Sequence, residues 1–78
     1  MTTESQKIMF NSDIEMVETV GGWMPKYSDD YDSLLNVLNE NSTGQADIDT
    51  FTAYDFSDGS RIIEKYNENQ EKVFNHYI

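Results

Sequence analysis

Ile48-Asp49-Thr50-Phe51-Thr52-Ala53-Tyr54-Asp55-Phe56 leads through Ser57-Asp58-Gly59-Ser60 into Arg61-Ile62-Ile63-Glu64-Lys65-Tyr66. The first segment is rich in Thr, Phe and Tyr, side chains that suit a half-buried pleated surface. The middle four residues carry an Asp-Gly pair, the usual mark of a hairpin turn. The third segment reads as the returning strand. Asn67-Glu68-Asn69-Gln70 is a second turn, and Lys72 to Tyr77 a short last strand. Two helical turns from Glu68 onward compete with that last strand. The C-terminal third is thus expected to be a β-meander.

Upstream, a helix is expected over Ser28 to Asn41. Tyr31, Leu34, Leu35 and Leu38 recur at i, i+3, i+4 and i+7, one apolar stripe. Ser28 is a suitable N-cap, and Asp29, Asp30 and Asp32 fall in the first turn, where the dipole favours anions. Asn41-Ser42-Thr43-Gly44 is a stop signal. The N-terminal third divides less cleanly. Lys7 to Phe10 and Ile14 to Val20 read as a hairpin around Asn11-Ser12-Asp13, although Ile14, Val17 and Val20 also fit helical spacing. Gly21-Gly22 ends this element, and Trp23-Met24 enters a loop. The order expected is ββαβββ: an α+β fold, with a small antiparallel sheet and one main helix on one face. Residues 1–78 form a single domain, with residues 1–5 expected to fray.

Composition supports one small core. A 9.0 kDa chain should keep roughly 4,900 Å² exposed of about 13,000 Å² when unfolded. Leu, Ile, Val and Phe supply 17 of 78 residues, just above the range where disorder sets in; ten aromatics favour folding. There is no cysteine, which removes disulfides, thiolate metal sites and a Cys nucleophile. A small secreted domain would be expected to carry staples, so a reducing, cytoplasmic setting is expected. The N-terminus MTTESQKIMF shows no signal-peptide pattern, and no apolar run approaches a membrane span.

A search for chemistry returns little. His76 is the only histidine and has no nucleophile motif beside it. The serines form no G-x-S-x-G elbow, and the glycines form no phosphate-binding loop. Asp47, Asp49, Asp55 and Asp58 fall at positions 1, 3, 9 and 12 of an EF-hand-like run. Phe51 and Thr52, however, occupy the places of a ligand and the essential glycine. Asp55 and Asp58 at the hairpin tip offer at most a weak cation site. No enzyme activity, no metal and no cofactor are expected.

The charge is the distinctive property. Fifteen acids face five bases, for a formal charge of −10. From Asp13 to Asp58 there are eleven acids and one base, Lys26. Direct nucleic-acid binding and docking on anionic membranes are both disfavoured. A strand step of two residues spans about 6.6 Å, so Asp13/Glu15 and Asp47/Asp49 would space carboxylates comparably to neighbouring phosphates. Asp29, Asp30 and Asp32 add a dense patch at a helix start. The candidate partner-binding residues are Asp29, Asp30, Asp32, Asp47 and Asp49, then Glu15 and Glu18. Trp23 is the candidate apolar anchor if it is exposed, since Trp is enriched at interface hot spots.

In size, charge and acidic turn-rich meander the chain resembles, as a class, the small acidic inhibitors that phages use against host defence and repair: anti-CRISPR proteins, anti-restriction proteins and uracil-DNA glycosylase inhibitors. Thr52-Ala53-Tyr54-Asp55 is similar to a strand segment of the uracil-DNA glycosylase inhibitor. Ser12-Asp13-Ile14-Glu15-Met16 is distantly similar to that inhibitor's Glu-Ser-Ile-Leu-Met contact strand. Asn11 stands where the inhibitor has its acid, and the two segments lie farther apart, so no functional residue is carried across. The class resemblance implies a stoichiometric inhibitor, most of all of anti-CRISPR type, that occupies the nucleic-acid site of a basic protein or complex in a phage-infected bacterial cytoplasm. A uracil-DNA glycosylase inhibitor is one alternative. An acidic regulatory module binding through an apolar patch around Trp23 is the other, and plain solubility explains such a charge as well. The oligomeric state is open.

Overall fold

A computed structural model describes residues 3–10 and 13–78. Eight elements follow one another: α1 (Glu4–Met9), β1 (Met16–Thr19), β2 (Gly22–Pro25), α2 (Asp30–Asn41), β3 (Gly44–Ile48), β4 (Phe51–Asp55), β5 (Arg61–Tyr66) and β6 (Lys72–Tyr77). The six strands form one antiparallel sheet in the order β1-β2-β6-β5-β4-β3. The α+β class, the single sheet and the main helix are as expected. The order gains a helix at the start and a strand in the middle.

The stripe on α2 explains its position. Leu34 and Leu38 are fully buried, with Tyr31 and Leu35 packed beside them. They meet Tyr54, Ile62 and Phe74 of the sheet, and Met9 of α1. The helix begins two residues later than Ser28. Asp29 is its N-cap, in helical backbone conformation and without a capping side-chain bond, while the Ser28 carbonyl accepts from Tyr31 N–H.

The segment Lys7–Phe10, expected as a strand, is instead the end of α1. Thr3 and Gln6 hold the two outer places of a capping box, and the Thr3 hydroxyl accepts from Gln6 N–H at 3.2 Å. Ser5 and Met9, one helical turn apart, are the buried face. Six residues cannot hold a helix alone, so docking fixes it. Glu4 N–H donates to Asp58 at 2.6 Å, and Ser5 N–H to the Ser60 hydroxyl at 3.2 Å. Residues 3–5, expected to fray, are therefore tied to the β4–β5 turn. Residues 1 and 2, and the turn residues Asn11 and Ser12, lie outside the described residues. Asp58 also accepts from Ser60 N–H and hydroxyl. These bonds, with that from Glu4, hold its carboxyl below the usual range, so this residue, once a weak cation candidate, is a turn organiser.

Two more expectations change. Trp23-Met24, read as a loop, lies in β2, because Gly21 (φ 83°) lets the chain reverse tightly between β1 and β2. Ile48–Phe56, read as one strand, is split between β3 and β4. Asp49 adopts a left-handed φ of 52°, which Asp tolerates better than most residues, and Ile48 pairs directly with Phe51.

The β1–β2 turn is pinned by side chains from elsewhere. Asn67 donates to the Val20 carbonyl at 3.0 Å, and Asn75 to the Gly21 carbonyl at 2.7 Å. Asn67 also organises its own turn: its Oδ1 accepts from Asn69 and Glu71 N–H, both at 2.9 Å. Asn67→Ala removes the three bonds made by that side chain to Val20, Asn69 and Glu71 backbone groups, and leaves backbone groups of two turns unpaired. A loss of about 2–3 kcal/mol is expected, read as a lower urea midpoint. An unchanged midpoint would mean that water replaces the side chain without cost.

Candidate interaction surface

Sheet order settles which acids share a surface. Glu15 and Glu18 belong to the β1 side, and Asp47 and Asp49 to β3 and its turn. β1 and β3 are the opposite edges, five strand spacings apart, or about 24 Å. The eight candidates therefore do not form one patch. Glu15 is ion-paired with Lys26 at 3.6 Å. Glu18 stands opposite Trp23 in the β1–β2 ladder. Asp47 accepts from the Thr52 hydroxyl at 2.8 Å.

The regular spacing argued for two acid pairs is not formed. Asp49 leaves the strand at the turn, and Asp13 and Glu15 both precede β1. Nor is Trp23 a free anchor. It is half-buried against the core, its ring edge-on to Phe10 at 4.8 Å, and it pairs with Phe74 in the sheet. Thr52–Asp55 lies within β4, with Tyr54 buried.

Asp29, Asp30 and Asp32 do stay together at the start of α2. Asp29 and Asp32 are one turn apart on an exposed flank, which sets their Cβ atoms about 5–6 Å apart. Among the described residues no base makes an ion pair with any of the three. Beside them lies a groove of about 320 Å³, lined by Met24, Pro25, Tyr27, Ser28, Tyr31 and Lys72. Tyr27 and Tyr66 stand more than half exposed, at 55% and 56%. Cations already rest on these rings. Lys26 Nζ lies 5.5 Å from the Tyr27 centroid, and Lys72 Nζ lies 5.7 Å from Tyr31 and 5.5 Å from Tyr66. Cation–π attraction accounts for both placements.

Under the groove lies a buried acid. Glu64 is 6% exposed, accepts from the Tyr31 hydroxyl at 2.5 Å and faces Lys72 at 3.8 Å. Burial, then the bond to Glu64 and its negative charge, push the Tyr31 hydroxyl well above the ordinary tyrosine range. Tyr54 is raised by burial, with Glu64 and Asp47 adding to it. His76 is half-buried on β6, edge-on to Phe10 at 5.7 Å, and its Nδ1 has no hydrogen-bond partner. Among the described residues no three acid or histidine side chains converge on a metal-sized site, and no helix is long and apolar enough to cross a membrane.

The aromatic part of this surface arises from pairing. Tyr66 and Lys72 are direct partners across the β5–β6 hairpin, a register set by a five-residue connection, Asn67–Glu71, one residue longer than the Asn67–Gln70 turn expected from the sequence. Glu64 carries no such signal, since one buried acid in a strand looks like any other. No family model, curated protein or solved structure matches the chain, so its own geometry carries the functional reading.

Proposed function

We propose that this chain is a stoichiometric binding protein that covers the basic, nucleic-acid-binding surface of a partner protein, as an inhibitor of anti-CRISPR type. The supporting observation is the uncompensated triple of Asp29, Asp30 and Asp32 beside a tyrosine-lined groove. An Arg-rich surface supplies what both features take: guanidinium groups pair with carboxylates and stack on aromatic faces. The long-range field of a −10 chain speeds such an encounter. In this reading no reaction is catalysed. The contact surface is the helix start and groove, so Asp47 and Asp49 contribute field rather than contact. The alternative apolar patch around Trp23 gains no support, because that ring packs on Phe10.

The test is capture of partners from lysate of a phage-defended bacterium, with low- and high-salt washes and competition by duplex DNA or RNA. The expected partner is a nucleic-acid-binding complex released by salt and displaced by nucleic acid. Joint reversal of Asp29, Asp30 and Asp32 to Lys should weaken its affinity about 100-fold or more and flatten the salt dependence. A partner that holds the reversed variant as tightly as the native chain removes this reading.

A further inference from the structure

Lys72 Nζ sits among three groups that attract a cation. It lies 5.7 Å from the Tyr31 ring centroid, 5.5 Å from that of Tyr66 and 3.8 Å from Glu64 Oε1. Strand register builds the set. Tyr66 faces Lys72 across the β5–β6 hairpin, Glu64 is two residues back on the same face of β5, and α2 brings Tyr31 onto Glu64. Two ring faces and a carboxylate make an aromatic cage, a receptor for an organic cation. The chain fills this cage with its own side chain.

The fit is incomplete. At 3.8 Å the ammonium stands beyond hydrogen-bond reach of Oε1, while Oε2 accepts from the Tyr31 hydroxyl. An ammonium is a compact, strongly hydrated point charge. A guanidinium is planar, carries five donors in a rigid fork, stacks on aromatic faces and is more weakly hydrated. It can lie on one ring and donate to Oε1 at once, a charge-assisted bond of the stronger kind. The resident cation is also free to leave, since the Lys72 side chain is 38% exposed.

The groove supplies the way in. Tyr31 and Lys72 both line it, so the place of the ammonium opens onto its volume of about 320 Å³. The apolar wall at Met24 and Pro25 suits the methylene stem of an arginine. Charge favours the same occupant. Asp29, Asp30 and Asp32 stand beside the groove without ion-pair partners among the described residues, and Lys26 is paired with Glu15.

We propose, resting on the reading of an Arg-rich partner surface, that Tyr31, Tyr66 and Glu64 form the receptor for one arginine side chain of that partner, with Lys72 as its resident competitor. The partner's arginine enters along the groove and displaces Lys72 into water. A resident ammonium holds affinity down and shuts out any cation that fits no better than itself, so the site selects arginine over lysine.

Titration of the full chain with acetyl-Gly-Arg-Gly-amide and with its lysine counterpart, followed by the ring resonances of Tyr31 and Tyr66, tests it. The arginine peptide should shift both rings and saturate on the order of millimolar, with the lysine peptide about fivefold weaker. Lys72→Met should tighten the arginine peptide about five- to tenfold. Lys65→Met removes the same charge from the other face of β5 and should change it less than about twofold. Tyr66→Ala, on a ring 56% exposed, should weaken it about fivefold while circular dichroism stays native. Equal effects of Lys72→Met and Lys65→Met would mean that net charge alone is felt, and would overturn the proposal. So would equal binding of the two peptides, or a titration that leaves both rings unmoved. The titration needs no partner from lysate, so its failure would leave the inhibitor reading standing, and a failed capture would leave the cage standing.

Discussion

Phe74→Ala should remove about a third to a half or more of the stability of the fold. Phe74 is fully buried on β6, which lies inside the sheet between β2 and β5. Its neighbours across the ladder are Trp23 and Glu64, and its ring lies 6.0 Å from that of Tyr31. One truncation therefore opens a cavity where the N-terminal hairpin, the C-terminal meander and α2 meet. Such Phe-to-Ala changes cost about 3–5 kcal/mol. A 78-residue domain holds only about 4–12 kcal/mol in total. Urea unfolding followed by far-ultraviolet dichroism should show the midpoint lowered by about a third to a half or more. Tyr77→Ala, on the same strand but 47% exposed, should shift the midpoint little. If the two variants unfold alike, the hydrophobic centre has been misplaced.

The comparison of sequence with fold turns on where local signals suffice. The Leu34–Leu38 stripe and the Asp58-Gly59 turn each act within a few residues, and both appear where their patterns place them. The elements misread are those whose decisive partner is distant. α1 is too short to persist without the Asp58 and Ser60 contacts, 54 and 55 residues away. Its Thr3–Gln6 capping pattern was nonetheless legible. The β3–β4 turn uses Asp49 in a left-handed conformation without the glycine that usually announces one. Trp23 follows two glycines, a local loop signal, yet Phe10 and Phe74 hold it on the sheet.

The candidate surface was legible only where it was local. Three aspartates in four positions remain neighbours on any helix. The acids grouped by strand spacing depended on register and strand order, and the sheet sends β1 and β3 to opposite edges. The tyrosine groove is assembled by three elements: Tyr27 and Tyr31 around the start of α2, Met24 and Pro25 from β2, and Lys72 from β6. No window of sequence contains it.

Tyr31→Phe should cost about 2 kcal/mol at neutral pH, a second large effect from a single oxygen atom. The hydroxyl donates to a carboxylate shielded from water, and bonds to charged groups contribute about 1.5–3 kcal/mol. Without it Glu64 keeps, among the described residues, the ion pair with Lys72 at 3.8 Å. The same hydroxyl sets an alkaline limit. Its folded pKa lies above the unfolded value of 10.0, and Tyr54 is raised from the same value. The native state thus holds these protons more tightly than the unfolded chain. That stabilisation is complete below pH 10 and is lost as pH rises toward the folded values. Stability measured from neutral to strongly alkaline pH should fall above about 10, and Tyr31→Phe should make that fall shallower. Adding Glu64→Leu to Tyr31→Phe should recover stability, since an apolar side chain needs no partner there and Lys72 can turn to water. If the double variant is weaker than Tyr31→Phe alone, Glu64 stabilises the fold through Lys72 rather than through the tyrosine.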